Sequence, residues 1–251
     1  MATSAWDDVR VVTEKLEGGR WTGHVVREGD LVHRSRGPRS DRAAAILTAL
    51  EQLGYPFAPR YRGRDADGYD VLSFVPGVTT NHPTQRAENS YATGARMLRL
   101  LHDLTVGHEL AGDEECIVHG DAGPFNTIFN EAGMPVAFID WDSAQPGRRL
   151  PDLAYLGWTW CVQAVGNVDL ADQARRLATV RDAYGLDPEV DLLGAVIDQQ
   201  SEMILTSTQL LAHPGHDDSY YQRLQATIDW ATADREVVLQ NRLLFESALA
   251  R

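Results

Sequence analysis

IVHGDAGPFNTIFNEAGMPVAFIDWD, residues 117–142, is the segment that decides the fold of this chain. Short apolar runs at 117–118 and 128–129 stand on either side of a polar loop, and a third apolar run leads into the final Ile-Asp-Trp-Asp. This order of apolar runs and turn residues predicts a strand, a polar loop, a strand, a turn and a strand. We therefore expect one β-hairpin whose loop ends are anchored in the core while the middle of the loop stays polar.

Three oxygen-bearing side chains stand at fixed spacing on this hairpin. Asp121 and Asn126 lie five residues apart, and Asp140 follows fourteen residues after Asn126. A neutral and a charged oxygen suit Mg²⁺, so Asn126 and Asp140 are the predicted metal ligands. Asp121, beside the flexible Gly120, is the predicted base that accepts a hydroxyl proton. For one aspartate alone an ordinary turn is the better interpretation, whereas the set of three favours a site.

The first 77 residues are predicted to form a small antiparallel sheet with one helix. The helix follows Gly37-Pro38, has Ser40 or Asp41 as its N-cap, and ends at Gly54. The Pro/Arg/Asp/Gly-rich stretch 58–70 is expected to be irregular. Strands are predicted over 9–16, 22–27, 31–34 and 69–75.

A pair of glycines, Gly18 and Gly19, lies in the first turn of this sheet. Such a loop lets backbone amides approach a nucleotide phosphate, although a plain turn is the default interpretation.

The remaining residues, 78–251, are predicted to be mainly helical, with Pro76-Gly77 as the boundary between a 1–77 domain and a 78–251 domain. Pro83 is expected to open a helix that runs to about Thr105 and carries His102 on its apolar face. We interpret His102 as a hydrogen-bonded core residue. Three or four helices are predicted to follow, at about 152–166, 169–184, 188–212 and 217–248.

Composition limits the possible partners. The chain has 251 residues with 23 basic and 36 acidic side chains, a net charge of −13, which argues against nucleic acid as a partner. The negative charge is compatible with a cationic substrate, although solubility alone explains it as well. Cys116 and Cys161 are expected to be reduced and buried. With neither a signal peptide nor a run of about 18 apolar residues, the sequence predicts a cytoplasmic protein with no membrane partner.

Several of these segments together resemble one enzyme family. HGDAGPFN at 119–126, followed by IDWDSA at 139–144, resembles the signature of the aminoglycoside phosphotransferase and choline kinase family, relatives of the protein kinases. LSFVPG at 72–77 resembles the hinge of that family, and GRRLPDLAYL at 147–156 its Asp-Leu-Ala segment. The resemblance implies a protein-kinase-like α+β fold of two lobes. The N-lobe would be a small antiparallel sheet with one helix, and the C-lobe would be larger and mainly helical.

The resemblance also implies an activity. A Mg²⁺-dependent enzyme would transfer the γ-phosphate of ATP or GTP to a hydroxyl of a small molecule, most commonly an antibiotic such as an aminoglycoside. Backbone groups near Phe74 and Val75 would meet the adenine. Asp152 would brace the catalytic loop and His119 would orient it, whereas Asp142 is either a contact near the metal or an ordinary turn residue.

The chain departs from the family on the third strand, where the family has a lysine that binds the nucleotide phosphates. That strand is DLVHRSR at 30–36, and Lys15, the only lysine, lies on the predicted first strand. Arg34 is the best substitute because a guanidinium binds phosphate through two nitrogens, with His33 and Arg36 as alternatives. Asp41 on the early helix is a possible partner, but the ion pair is either missing or rebuilt.

Other functions remain open at this point. One is a metabolic kinase for an alcohol such as choline, a sugar or a nucleoside; another is a nucleotide-binding pseudokinase, which the missing lysine favours and the intact catalytic set opposes. The protein is expected to be a monomer or a homodimer. Candidate contacts to a cationic acceptor, each better explained as a solvated helix charge, are Asp198, Glu202, Asp217 and Asp218.

Overall fold

The N-terminal part of the chain is an antiparallel sheet of five strands in the order β1, β2, β3, β5, β4. The computed structural model describes residues 25–250 and, as backbone only, 13–15, so Gly18 and Gly19 lie outside the described residues. β3 pairs with β5 so that Arg34 stands opposite Asp70. The bounds are β1 Thr13–Lys15, β2 Val25–Glu28, β3 Leu31–Arg34, β4 Tyr61–Arg64 and β5 Asp70–Ser73.

Strand β4 shows that the prediction of an irregular 58–70 stretch was wrong. Its sequence, YRGR, has a glycine and no β-branched residue, so it carries little local strand preference. It forms because β5 supplies a pairing partner at the sheet edge, where alternate β4 side chains face solvent. The register shifts between Tyr61 and Gly63, as at an edge bulge.

One helix, α1 Ser40–Gln52, packs against this sheet through an apolar stripe that includes Ile46, Leu47 and Leu50. The predicted N-cap was wrong by one position, because Arg39 precedes the first helical residue. Ser40 Oγ instead accepts a hydrogen bond from the Gly37 amide and closes the turn before the helix.

The connection between the sheet and the helical part is fixed by backbone pairing. Val78 and Phe129 exchange two hydrogen bonds of 3.0 and 2.8 Å. Gly77 has a φ of +137°, and a Cβ there would lie 2.4 Å from the Phe129 carbonyl oxygen, so only glycine fits. The domain boundary at Pro76-Gly77 stays a prediction.

The C-terminal part is mainly helical, as predicted, with six helices after residue 78 in the described part of the chain. The helix from Pro83 begins later than expected: Pro83–Gln85 is a separate 3₁₀ turn capped by His82, and the chain is extended again at Arg86. The single helix predicted over 217–248 is interrupted at Asn241. The bounds are α2 Ser90–Thr105, α3 Arg149–Cys161, α4 Leu170–Tyr184, α5 Leu192–Leu211, α6 Asp218–Gln240 and α7 Arg242–Leu249.

Four short strands lie between α2 and α3, and they differ from the single hairpin that we predicted. β7 Thr127–Phe129 pairs with β8 Pro135–Phe138, whereas β6 Cys116–Val118 pairs with β9 Gln145–Gly147, beyond the hairpin. The polar loop therefore runs from one two-stranded sheet to another.

Buried aromatic residues hold this region against the helices. Trp158 and Trp160 of α3 and Trp141 after β8 are at most 1% exposed. Cys116 and Cys161 are free and buried, as predicted. Over the described residues, no helix has the length and apolar character that a membrane crossing requires.

Candidate active site

The catalytic loop, residues 119–126, begins with a bend at Gly120. This residue has a φ of +75°, and a Cβ on it would lie 2.7 Å from the Ser143 carbonyl oxygen. Glycine is therefore needed both for the backbone conformation and for the close approach of the two segments. The bend brings Asp121 out of the end of β6.

Asp152, in the first turn of α3, anchors the loop from below. Its carboxylate accepts hydrogen bonds from the backbone amides of His119 (2.9 Å) and Gly120 (2.8 Å). His102 of α2 contacts the same carboxylate at 3.0 Å. Burial opposes ionisation of Asp152, but the contacts with His102 and His119 outweigh it and hold its pKa below the ordinary value. The family resemblance assigned Asp152 this bracing position, and His102 is the hydrogen-bonded core residue that we expected.

His119 is fully buried and ties the loop to the strand that leads to Asp140. Its Nε2 lies 3.2 Å from the Ile139 carbonyl oxygen, and its Nδ1 accepts a 3.3 Å hydrogen bond from the Asp121 amide. Burial lowers the pKa of His119 to about 4. The imidazole is thus neutral at pH 7, with its proton on Nε2, and its contacts are structural.

Asp121 receives hydrogen bonds on both carboxylate oxygens. Asn126 Nδ2 donates to Oδ2 at 2.8 Å, and the Tyr155 hydroxyl donates to Oδ1 at 2.5 Å. The amide nitrogen of Asn126 is thereby directed at Asp121, so Oδ1 is the atom that Asn126 can offer to a metal. The structure brings these two predicted residues together.

Tyr155 is a site residue that the sequence reasoning missed. It lies three residues after Asp152 on α3, on the same face of the helix, and both side chains reach the catalytic loop. That i, i+3 spacing within DLAY is the signal that would have identified it.

Asp140 follows β8 in the left-handed region, with φ 60° and ψ 63°. This conformation is uncommon for any residue but glycine. Burial raises the pKa of Asp140, Arg34 opposes the rise, and the neighbouring Asp142 adds to it. Its Oδ1 is buried without a hydrogen-bond partner among the described residues.

Arg34, at the end of β3, is the N-lobe cation that faces these carboxylates. Its side chain is 10% exposed, its Nη2 donates to Asp142 Oδ2, and its Nη1 lies 3.6 Å from Asp140 Oδ1. His33 instead contacts Asp65 at 2.7 Å, and Arg36 pairs with aspartates of the N-lobe. Of the three candidates, Arg34 alone is aimed at the catalytic side.

The donor set fits a magnesium ion that is bound together with a nucleotide. Asp140 and Asp142 each have a buried Oδ1 without a hydrogen-bond partner, and Asn126 adds a neutral oxygen. Within the described residues no three His, Cys, Asp or Glu side chains converge on one metal position. Since Mg²⁺ prefers six oxygens, the remaining ligands must be water and phosphate oxygens.

The backbone at Phe74 and Val75, the predicted hinge, is less accessible to an adenine than the sequence suggested. The Phe74 amide donates to the Asp30 carbonyl oxygen at 2.8 Å, and Arg27 covers the Phe74 ring at 3.7 Å. The Phe74 carbonyl and the backbone of Val75 are therefore the groups left for an adenine. Their role stays a prediction.

The four acidic candidates for acceptor contacts do not join the site residues. All are exposed on α5 or at the start of α6, and Asp217 caps α6 by accepting from the Tyr220 amide. A cavity of about 480 Å³ lies elsewhere, and its walls include Arg99, Arg149 and Tyr184 but none of the predicted site residues.

Comparison with known proteins supports the same family. A sequence model of the phosphotransferase enzyme family matches residues 107–187, which include the catalytic loop and Asp140. A trifolitoxin immunity protein from Rhizobium leguminosarum bv. trifolii is 30% identical over an alignment of 262 positions, which covers 93% of this chain and 97% of that protein.

Solved structures of kinases share the fold. A choline/ethanolamine kinase family protein from Mesorhizobium loti has a TM-score of 0.59 at 18% identity, covering 95% of this chain and 92% of its own. A type I macrolide 2′-phosphotransferase has a TM-score of 0.56 at 16% identity, covering 86% and 90%. The predicted kinase-like α+β fold, with a small antiparallel sheet and a mainly helical remainder, is confirmed.

Proposed function

Because this chain belongs to the phosphotransferase enzyme family, an enzyme class that acts on small molecules, we propose that it transfers the γ-phosphate of ATP or GTP to a hydroxyl of an antibiotic-like compound. Residues 1–77 would hold the nucleotide and residues 78–251 the catalytic loop and the acceptor. The reaction would take place in the cytoplasm, where both nucleotides are available.

The observation that carries this proposal is the placement of Asp121. Asn126 and Tyr155 each donate to one of its oxygens, so the carboxylate is fixed in direction. A carboxylate fixed in this way on the catalytic loop is the group that phosphoryl transfer needs to orient an attacking hydroxyl and take its proton.

The other residues would bind and orient the nucleotide. Asn126 and Asp140 would hold Mg²⁺, which when bound neutralises charge on the phosphates. Arg34 would contact a phosphate through its planar guanidinium, as the family's lysine does through its ammonium. The backbone near Phe74 and Val75 would meet the base.

The acceptor class rests on the relative's name. A protein 30% identical over almost its whole length is called an immunity protein against trifolitoxin, and immunity to a toxin is consistent with chemical modification of an antibiotic. The net charge of −13 would favour a cationic compound such as an aminoglycoside.

An acceptor screen with an inactivated variant tests this function. The protein would be incubated with Mg²⁺ and labelled ATP or GTP against aminoglycosides, other antibiotics, choline, sugars and nucleosides. Asp121→Asn should fold normally and lose about 10²- to 10⁴-fold in phosphotransfer. Glu131→Gln, which makes the same change at an exposed site in the β7–β8 turn, should act as wild type. Transfer by Asp121→Asn at the wild-type rate would refute the assignment of the base.

A second candidate, a nucleotide-binding module without turnover, is favoured by one observation. Arg34, in the position of the family's lysine, is already paired with Asp140 and Asp142. A thermal-shift titration with ATP, with and without Mg²⁺, separates the two functions when combined with an assay of ATP hydrolysis. Stabilisation without turnover on any acceptor would favour the module.

A further inference from the structure

The guanidinium of Arg34 contacts the carboxylates beside which the metal is proposed to bind. Its two terminal nitrogens point to different residues, Nη2 to Asp142 and Nη1 to Asp140 at 3.6 Å. All three side chains are mostly buried, with exposures of 10%, 32% and 28% for Arg34, Asp142 and Asp140. Ion pairs that are withdrawn from water in this way are screened much less than surface pairs.

Arg34 does not form its ion pair with the acidic residue of helix α1. Asp41, the acidic residue in the first turn of α1, is paired with Arg36 and Arg64. Arg34 is held instead by Asp142, which is 108 residues away in sequence and lies beside the catalytic loop. The arginine is therefore fixed to the metal-binding segment, and not to its own lobe.

A guanidinium in this position competes with a divalent cation. Arg34, Asp140 and Asp142 carry a net charge of −1, whereas the two carboxylates alone carry −2. A divalent ion at Asp140 would stand close to the guanidinium, and two cations about 4 Å apart repel by several kcal/mol at the effective dielectric of a protein surface. The phosphates of a nucleotide offer the guanidinium a new anionic partner and also complete the coordination of the ion.

We propose that Arg34 occupies the metal carboxylates in the nucleotide-free protein and moves to the phosphates when a nucleotide enters, so that the divalent ion binds only together with the nucleotide. Asp142 is the positioning residue that holds the guanidinium until then. This inference rests on the proposed function, since it takes Asp140 as a metal ligand.

Mn²⁺ binding, followed by the loss of the free-ion signal in electron paramagnetic resonance, tests the exchange without any turnover. Wild-type protein should bind Mn²⁺ weakly alone, and at least ten-fold more tightly with a non-hydrolysable ATP analogue. Arg34→Gln should bind Mn²⁺ at least ten-fold more tightly than wild type in the absence of nucleotide. Its melting temperature should also rise with Mn²⁺, because a ligand that binds only the folded state stabilises it.

Arg36→Gln is the matched control. It removes the same charge two residues away, but Arg36 pairs with Asp41 and Asp70 and not with the metal carboxylates. It should bind Mn²⁺ as wild type does, which excludes a general effect of net charge. Arg34→Met, which keeps the apolar stem, serves if Arg34→Gln does not fold.

Two results would overturn the proposal, and they are distinguishable. Equal nucleotide-free Mn²⁺ affinity in wild type and both Arg34 variants would refute the exchange while leaving the metal site in place. Absence of Mn²⁺ binding in every variant, even with the nucleotide analogue, would refute Asp140 as a metal ligand and with it the metal part of the proposed function. The double variant Arg34→Gln/Asp140→Asn should lose the additional Mn²⁺ affinity of Arg34→Gln, which would place the ion at Asp140.

Discussion

The hydrogen bond from Tyr155 to Asp121 predicts that removal of one oxygen atom, the Tyr155 hydroxyl, lowers catalysis. Tyr155→Phe removes the hydroxyl and keeps the ring, whose edge contact with Trp158 has a centroid distance of 5.8 Å. The carboxylate then loses one of the two hydrogen bonds that fix its direction toward the acceptor. We expect kcat to fall about tenfold, which corresponds to one hydrogen bond.

A second tyrosine supplies the control for this measurement. Tyr61 also donates to an aspartate, Asp70, but lies in the N-lobe sheet. Tyr61→Phe should leave kcat unchanged. A kcat of Tyr155→Phe equal to that of wild type would show that the hydroxyl only packs beside the base.

At the level of single residues, the sequence placed Asp121 and Asn126 on one loop, where they are in contact, but it did not predict the partners of Arg34. Asp121, Asn126 and Asp140 stand in a short motif whose spacing is sufficient to place them. The pairing of Arg34 with Asp142 depends on how the end of β3 meets a segment 108 residues later, and no local pattern encodes that contact. Long-range ion pairs of this kind are a property of the fold.

The first turn of α3 acts as the support of the catalytic loop, and Asp152 is the residue that joins them. In Asp152→Asn, only one side-chain oxygen remains to accept hydrogen bonds. The other oxygen is replaced by an NH₂ group, which faces groups that donate to the carboxylate in the wild-type protein. We expect the free energy of unfolding to fall by roughly 3 kcal/mol, because a buried donor loses its carboxylate acceptor. Urea denaturation measures this change.

Asp103→Asn is the control for that experiment. Asp103 pairs with Arg99 and Arg149, but its side chain is 43% exposed. Exposed pairs contribute about 0 to 1 kcal/mol, so this variant should unfold close to wild type. Equal unfolding free energies for the two variants would contradict the supporting role of Asp152.

Helices and strands were predictable where the sequence has a periodic or apolar pattern. They were not predictable where a segment becomes a strand only because it pairs with another strand. The stripe of α1 and the helical C-terminal part follow from the spacing of apolar residues. Strand β4 depends on its pairing with the neighbouring β5, and β6 pairs with β9, which lies beyond the β7–β8 hairpin in the sequence. Pro83 is an acceptable first residue for a helix of any length, so it did not reveal that its turn ends after Gln85.

On the scale of the whole molecule, the catalytic segment contacts both the N-terminal sheet and the connection that leads out of that sheet. The backbone of Val78 pairs with Phe129 of β7, and Arg34 of β3 pairs with Asp142 beyond β8. The hairpin between these contacts is thus fixed from both sides. The motif predicted the fold class, and it lies where the sheet and the helical part are joined.

Stability against acid is the property of the whole molecule in which the buried site should be visible. The pKa of His119 is lowered from 6.5 to about 4, because the imidazole is buried. Between these two pH values the unfolded chain binds a proton that the folded protein does not bind. The free energy of unfolding should therefore be unaffected by His119 above pH 6.5 and should fall as the pH drops from 6.5 to 4, by roughly 3 kcal/mol in total.

The depressed pKa of Asp152 extends this loss to still lower pH. A carboxylate whose pKa is lowered by folding contributes stability above its ordinary value of 3.8, and that contribution disappears as the pH falls below it. Urea denaturation at pH 7, 6, 5 and 4.5 separates these two groups, because His119 acts across this range and Asp152 acts below it. His119→Gln keeps a donor for the Ile139 carbonyl oxygen but does not titrate, so its stability should depend less steeply on pH, even if it is lower throughout. Parallel curves for the variant and wild type would mean that another histidine, and not His119, makes the fold sensitive to acid.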